Sequence, residues 1–394
     1  MKNRQPTPGK EGRVLIRFED GTAKYATISM ADDPIAEGDP IDKSTLLKDA
    51  TAALYGLDST AVPDEVLERI SRMFPANMGV LTVYIASAGG SPIDTMIKIT
   101  PAINGETDYL TLPNGRFSIF APPGSYTVSI IDSPFVITSD SAKSVTVTAG
   151  CFAKTSFTAK WVSSGKSYIK ASRTLYVPEH LSSVDLCAIG GGGSGGQDVN
   201  NNGRATGGAG GYLNNLLGTN LAGKLLNIII GSGGALTDHL NAKSGASGGT
   251  TSVSVDSASI IEAAGGAGGN HASSGNVSGA DGGSGSGGVY SDVCYDGGSD
   301  GSNGSGSNGG NGQGTTTREF GENTGTLYCG AGGAANYSNA STSSGGAGGG
   351  GDGACGNKPV AESGTAYGAG GGGACGYNGQ TAGDGYQGVL IIRW

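Results

Sequence analysis

Val184-Asp185-Leu186-Cys187-Ala188-Ile189-Gly190-Gly191-Gly192-Gly193-Ser194-Gly195-Gly196 decides how this chain is read. Six residues with a strand's apolar content run without a break into glycine. Two further apolar strands, Leu225–Ile230 and Val389–Trp394, sit among the glycine runs that follow, including Gly348–Gly351 and Gly370–Gly373. Most of the 76 glycines of the 394-residue chain lie between Gly190 and Gly388. A flexible linker has no use for such strands, and an ordinary globular domain has none for so much glycine. The combination predicts a folded β-framework that holds glycine-rich segments in place.

Glycine gives up the most backbone freedom on ordering, so an unpinned glycine segment stays disordered. Strands near Ser167–Ile169, Thr174–Val177 and Val184–Ile189 open the region, and Gly388–Trp394 closes it. Their ends are expected to meet in one sandwich from which the glycine segments project. The region has only Pro178 and Pro359 and no strict G-X-Y period, which excludes collagen. The ordered alternative is a set of polyglycine-II helices with three residues per turn. Lacking Cβ atoms, such helices pack closely and pair their buried amides laterally.

Outward from this region, residues 79–160 alternate like an antiparallel sheet. Val80–Ile85, Phe117–Phe120, Tyr126–Ile130, Val145–Val147 and Thr155–Thr158 place apolar side chains at every second position. About seven short strands at this spacing predict an immunoglobulin-like sandwich. Residues 1–78 read as a small α/β segment. Val14–Phe18 and Lys24–Ile28 flank Asp20-Gly21 as a hairpin. One helix is expected from Asp42 or Ser44 to Gly56, with Leu46, Leu47 and Leu54 on one side, and another from Pro63, with Leu67, Ile70 and Phe74 as its stripe. That is little apolar surface for an independent core, so these six side chains are the expected attachment or oligomerisation surface.

The net charge is -9 with only 14% charged residues, which speaks against a nucleic-acid partner. About 6 basic and 15 acidic side chains fall after residue 175, so the glycine-rich part holds nearly all the net negative charge. No apolar run reaches the roughly 18 residues of a membrane span, and no apolar signal segment follows Met1-Lys2-Asn3-Arg4. The expectation is synthesis in the cytoplasm and no membrane insertion. Neither a metal nor a cofactor is expected: the cysteines Cys151, Cys187, Cys294, Cys329, Cys355 and Cys375 lack C-x-x-C spacing, and only three histidines accompany them. Cys355 and Cys375 share the sequence Gly-Ala-Cys-Gly, read either as a disulfide or as buried thiols.

Catalytic motifs are chance products of low complexity. Gly192–Gly196, Gly245–Gly249 and Gly297–Gly301 fit G-x-S-x-G without a strand-to-helix turn or a histidine partner. Gly218–Leu225 misses a P-loop because Leu225 stands where Ser or Thr must bind magnesium. No enzyme is expected. What remains is surface chemistry. Tyr290, Tyr295, Phe320, Tyr328, Tyr337, Tyr367 and Tyr377 punctuate glycine, serine and asparagine in an alphabet like that of antibody loops. These seven are the expected receptor-binding residues, with aromatic rings suited to stacking on sugars; the alternative is that several of them plug the base of the glycine sheaf.

Two stretches resemble known families. Asn3–Thr7, Ala31–Pro34, Glu37–Leu47, Asp49–Leu57 and Ala61–Val66 resemble the amino-terminal segment of tail proteins from phages and prophages of Gram-positive, clostridia-like hosts. Residues from about 165 on resemble the glycine-rich domain of phage tail fibres, carried by Val177-Pro178, Ser183–Leu186 into Gly190–Gly193, and the ending Gly385–Trp394. The middle is similar to a carboxypeptidase-regulatory-like sandwich. The resemblance implies a mainly β, multidomain tail-fibre or receptor-binding protein of a phage or phage-tail-like particle. Residues 1–78 would attach to tail or baseplate proteins, 79–160 form a β-sandwich spacer, and 161–394 form a jelly-roll-like, polyglycine-II recognition tip for a host-surface glycan or protein. It implies a virion location and a homotrimer, although no heptad pattern enforces one. A purely structural tail protein and a tail-associated glycan hydrolase are the alternatives.

Overall fold

The computed structural model describes residues 13–17, 23–27, 77–200, 203–236, 241–337, 341–355, 360–376 and 380–394. The chain divides into two compact units, Met1–Met78 and Gly79–Trp394. In the first, β1 (Arg13–Arg17) pairs antiparallel with β2 (Ala23–Thr27), the hairpin expected from the sequence. The two expected helices, and with them Leu46, Leu47, Leu54, Leu67, Ile70 and Phe74, lie outside the described residues.

The second unit is mainly β. It begins with eight strands: β3 (Gly79–Ala86), β4 (Met96–Ile103), β5 (Glu106–Leu110), β6 (Arg116–Ala121), β7 (Gly124–Ile130), β8 (Val136–Thr138), β9 (Lys143–Val147) and β10 (Phe152–Trp161). They form two four-stranded sheets, ordered β6-β3-β10-β8 and β5-β4-β7-β9. The pairing of β3 with β10 is parallel and the others are antiparallel. Alternation sends Leu81, Val83 and Ile85 of β3 inward against Ile97 and Ile99 of β4, all five at most 1% exposed. β4 is missing from the sequence reading because Pro101 interrupts it; its outer half leaves the ladder with β5 until Ile103.

A second sandwich follows. β11 (Lys166–Ile169), the closing strand Val389–Arg393, β13 (Val184–Ile189) and Leu213–Thr219 form one antiparallel sheet in that order. β12 (Arg173–Tyr176), Leu225–Ile229, Thr251–Val255 and Ala258–Ala263 form the other. The closing strand lies between β11 and β13, so the two ends of the region meet as the sequence implies. β13 is buried on both faces, which explains its unbroken apolar run. Val184, Leu186 and Ala188 face the sandwich core, whereas Cys187 and Ile189 join a separate cluster with Phe320 and Tyr328.

The core of this sandwich is continuous with that of the first. At the junction the Phe135 and Trp394 rings meet edge-on at 4.9 Å. Trp394 Nε1 donates to the Val162 carbonyl at 2.9 Å, and Arg173 donates to the Asp132 carbonyl at 3.1 Å. Gly165 sits so close that a Cβ there would lie 2.9 Å from the Trp394 ring.

Beyond Ile189 the chain changes character. Residues 190–197 donate backbone hydrogen bonds of 2.8–3.0 Å in strict rotation. Gly190, Gly193 and Gly196 donate to Tyr212, Ala209 and Thr206. Gly191, Ser194 and Gln197 donate to Gly249, Ala246 and Lys243. Gly192 and Gly195 donate to Tyr386 and Gly383. Three more segments donate back: Gly266 and Gly269 to Gly191 and Ser194, Gly371 and Ala374 to Gly193 and Gly196, and Gly234 to Gly192. A three-residue repeat with only lateral bonds is polyglycine-II geometry, with one helix ringed by three segments that accept and three that donate. Added Cβ atoms at Gly192 and Gly195 would sit 2.0 Å from the carbonyl oxygens of Ala369 and Gly372. Only glycine permits that approach. Ser194 is the one side chain among residues 190–196, fully buried, with its Oγ accepting the Ala246 amide at 2.8 Å.

Candidate functional site

The geometry of the bundle decides which residues meet. Its central helix starts where β13 ends, so it points away from the sandwich. At 3.1 Å per residue, Gln197 lies about 25 Å beyond Ile189. Antiparallel and parallel neighbours then bring a set of connections to that far end. Gln197–Asp198 pairs with Ala374–Cys375, which pairs with Ala354–Cys355. Arg204–Ala205 pairs with His271–Ala272 and with Ala335–Asn336, which pairs with Ser341–Thr342. These short ladders close the bundle into a distal face.

Polar side chains fix that face from below. Asp198 is fully buried and accepts both the backbone amide and the side-chain Nδ2 of Asn200 at 2.8 Å. Asn200 Nδ2 also donates to Ser273 Oγ at 2.9 Å, and His271 Nδ1 lies 3.4 Å from the Asp198 carboxylate. A neighbouring hairpin joins Val289-Tyr290 to Val293-Cys294 through Ser291 and Asp292, both at positive φ. Two left-handed central residues match the twist of such a turn. Arg204 pairs with Asp292, and this hydrogen-bonded guanidinium holds the Asp292 carboxyl below the usual range. Asn336 Nδ2 donates to the Asp292 carbonyl at 2.8 Å. The hairpin therefore presents Tyr290 and Val293, 40% and 48% exposed, from an anchored base.

The seven expected receptor-binding residues separate. Tyr290, Tyr295 and Tyr337 lie toward the distal face. Tyr290 is exposed, Tyr295 is half-buried with Gly306 resting on its ring, and Tyr337 packs against Ala335, Cys355 and Cys375. Tyr377 lies outside the described residues. Phe320, Tyr328 and Tyr367 are at the opposite end, against the sheet of β11 and β13, where they plug the base of the bundle rather than stand at the distal face. Phe320 and Tyr328 are buried because they cover the outer face of β13, which would otherwise expose Cys187 and Ile189. Phe320 lies under the Arg393 guanidinium at 4.2 Å. Tyr367 bridges Tyr328, Tyr168 and Tyr386 with ring centroids 6.2, 6.4 and 5.7 Å away.

Beside this aromatic base an open groove of ≈ 560 Å³ is lined by Lys166, Glu319, Phe320, Glu322, Arg393 and Trp394, among others. Its charges are paired within the chain: Lys166 with Glu319 at 2.8 Å, and Arg393 with both Asp185 and Glu322 at 2.8 Å. The buried thiols are held protonated. Burial pushes Cys187 up to about 12 and raises Cys329 well above its ordinary value, while a hydrogen bond to Cys355 and burial raise Cys375. Among the described residues no group of His, Cys, Asp or Glu is arranged to hold a metal ion. No described helix is long and apolar enough to cross a membrane.

The glycine-rich domain family matches residues 166–394, more than half of the 394-residue chain. The chain belongs to this family. The matched region starts on β11 and ends with the closing strand, so the family boundary coincides with the second sandwich and the bundle it carries. No curated protein matches the chain. Sequence reasoning missed Asp198, Asn200, His271 and the Arg204–Asp292 pair. These are isolated polar residues separated by up to 94 positions, Asp198 to Asp292, and nothing in their local sequence marks them as neighbours.

Proposed function

We propose that this glycine-rich protein is a tail-fibre or receptor-binding protein of a phage or phage-tail-like particle, and that its distal face recognises a host-surface glycan or protein. The observation that carries the reading is the convergence of short connections at the far end of a glycine bundle, with Tyr290 and Val293 exposed on an anchored hairpin. An aromatic ring on a hairpin whose Ser291 amide donates to the Asn276 side chain at 3.0 Å combines a stacking surface with adaptable hydrogen-bonding groups, the chemistry of loop-based recognition. The bundle supplies rigidity without side chains, which leaves the connections as the part whose sequence can vary. The resemblance of residues 3–66 to tail-protein amino termini supports attachment of the first unit to tail or baseplate proteins, and a trimer belongs to the same reading.

The reading is tested with the purified full-length chain on cells of the host. It should bind them and compete with particle adsorption, and Tyr290→Ala should weaken that binding at least about tenfold while leaving the thermal unfolding curve in place. Grafting the 289–295 hairpin and the 198–205 and 270–277 connections onto a related particle should transfer host range. Full adsorption in the presence of excess chain, or an unchanged host range after grafting, would return the protein to a purely structural role in the tail.

A further inference from the structure

The six cysteines are thiols rather than disulfides, yet two of them are placed for covalent joining. Ala354-Cys355 and Ala374-Cys375 are neighbouring parallel segments in direct register, with Cys355 opposite Cys375. Such neighbours are about 4.8 Å apart, inside the 4.4–6.8 Å range between the Cα atoms of a disulfide. Parallel strands in register send opposed side chains to the same side, and both sulfurs lie in one cluster with Ala335 and Tyr337. The two residues are 3% and 0% exposed, and the Cys355 thiol donates to the Asn336 carbonyl at 3.0 Å. The other buried couple differs: Cys187 stands opposite Ile391 and Asn215, and Cys329 belongs to no paired strand.

We propose that Cys355 and Cys375 form a redox-modification site at the distal face, closed to an intrachain disulfide by exchange with a small-molecule disulfide such as glutathione disulfide. Cys355, the less buried of the two, attacks as a thiolate and forms a mixed disulfide. The first glutathione leaves as a thiolate and takes up the proton that Cys355 gave up. Cys375 then loses its proton and attacks the Cys355 sulfur, expelling the second glutathione. Two protein thiols are oxidised and one glutathione disulfide is reduced to two thiols. The new bond encloses the 19 residues between positions 355 and 375 and ties together the bases of two distal connections. It removes chain freedom from the open state, so the distal ladder should open less often once it has formed. The raised Cys375 pKa and the burial of both sulfurs make the reaction slow, and a reducing glutathione pool returns the pair to thiols.

The test uses the full-length chain carrying Cys151→Ser and Cys294→Ser, which removes the exposed and half-buried thiols. Incubation with glutathione disulfide should lower the intact mass by about 2 Da, the two thiol hydrogens. Peptide mapping without reductant should link Cys355 to Cys375, and dithiothreitol should reverse both changes. Cys355→Ser and Cys375→Ser should each abolish the mass loss. The same experiment on the unsubstituted chain guards against a folding defect in the variants, since the link can be mapped there directly. An unchanged mass, separate glutathione adducts on the two residues, or a link to any other cysteine would overturn the proposal.

Discussion

The spacer sandwich and the glycine bundle solve the same problem in opposite ways. In the spacer, Leu81, Val83, Ile85, Ile97 and Ile99 fill a core between two sheets, and each strand pairs only with neighbours in its own sheet. In the bundle, residues 190–197 pair with six surrounding segments, and the space between backbones is filled by more backbone. The Cβ atom makes the difference. Side chains above and below a strand confine its hydrogen bonds to one plane, whereas a helix of glycines directs them around its whole circumference. The spacer gains stability from apolar area removed from water. The bundle relies on dense amide pairing and on its covalent continuity with β13 and the closing strand.

This contrast is broken or sharpened by substitutions of graded severity. Gly192→Val should be the most damaging, because its Cβ would sit 2.0 Å from the Ala369 carbonyl oxygen and backbone cannot step aside as a side chain can. A loss of more than about 3 kcal/mol in urea unfolding is expected, with amide exchange quickened throughout 190–197 and 206–212. A cost under about 1 kcal/mol would mean that the bundle is softer than its hydrogen bonds imply. Leu81→Ala should come next, at about 2–5 kcal/mol, as a fully buried leucine leaves a cavity in the spacer. Its effect should register in the spacer amides first.

Titration gives smaller effects at opposite ends of the pH scale. Hydrogen bonds from Thr316 and the Thr317 amide, with Arg318 nearby, lower the Asp300 carboxyl from 3.8. The folded state thus binds the proton less readily than the unfolded chain. The contribution is complete above about pH 4 and is lost as pH falls through the lowered value. Asp300→Asn should flatten that acid limb in thermal unfolding. Tyr176 behaves conversely: burial pushes it up to about 12, so its contribution holds below pH 10 and fades as pH rises through 12. Tyr176→Phe should make the alkaline limb shallower. The smallest change is expected for Tyr290→Ala, within about 0.5 kcal/mol, since its ring is displayed rather than packed.

Much of the framework is legible in the sequence. Val184–Ile189 occupies the strand expected, because a run buried on both faces needs no alternation to be recognised. The strand Leu213–Thr219 escapes notice: two asparagines and a glycine hide it, Leu216 packs against the sandwich core and Leu213 against the outer cluster of Cys187 and Ile189, and β13 supplies its partner. The aromatic residues show the deeper limit. Tyr290 and Tyr328 each follow an apolar residue and lie close to glycines, yet one is displayed and the other is buried under the sheet.

Composition and local pattern settled that this chain has a β-framework and that its glycine segments are pinned by strands. Those are properties of single segments, fixed by Cβ sterics and by the period of apolar residues. Which connections share an end was decided by tertiary structure alone. Helix direction alternates with every reversal, so a residue's height along the bundle depends on the lengths of all preceding segments. That long-range count places Tyr290 on the distal face, Phe320 beneath Arg393, and Cys355 opposite Cys375.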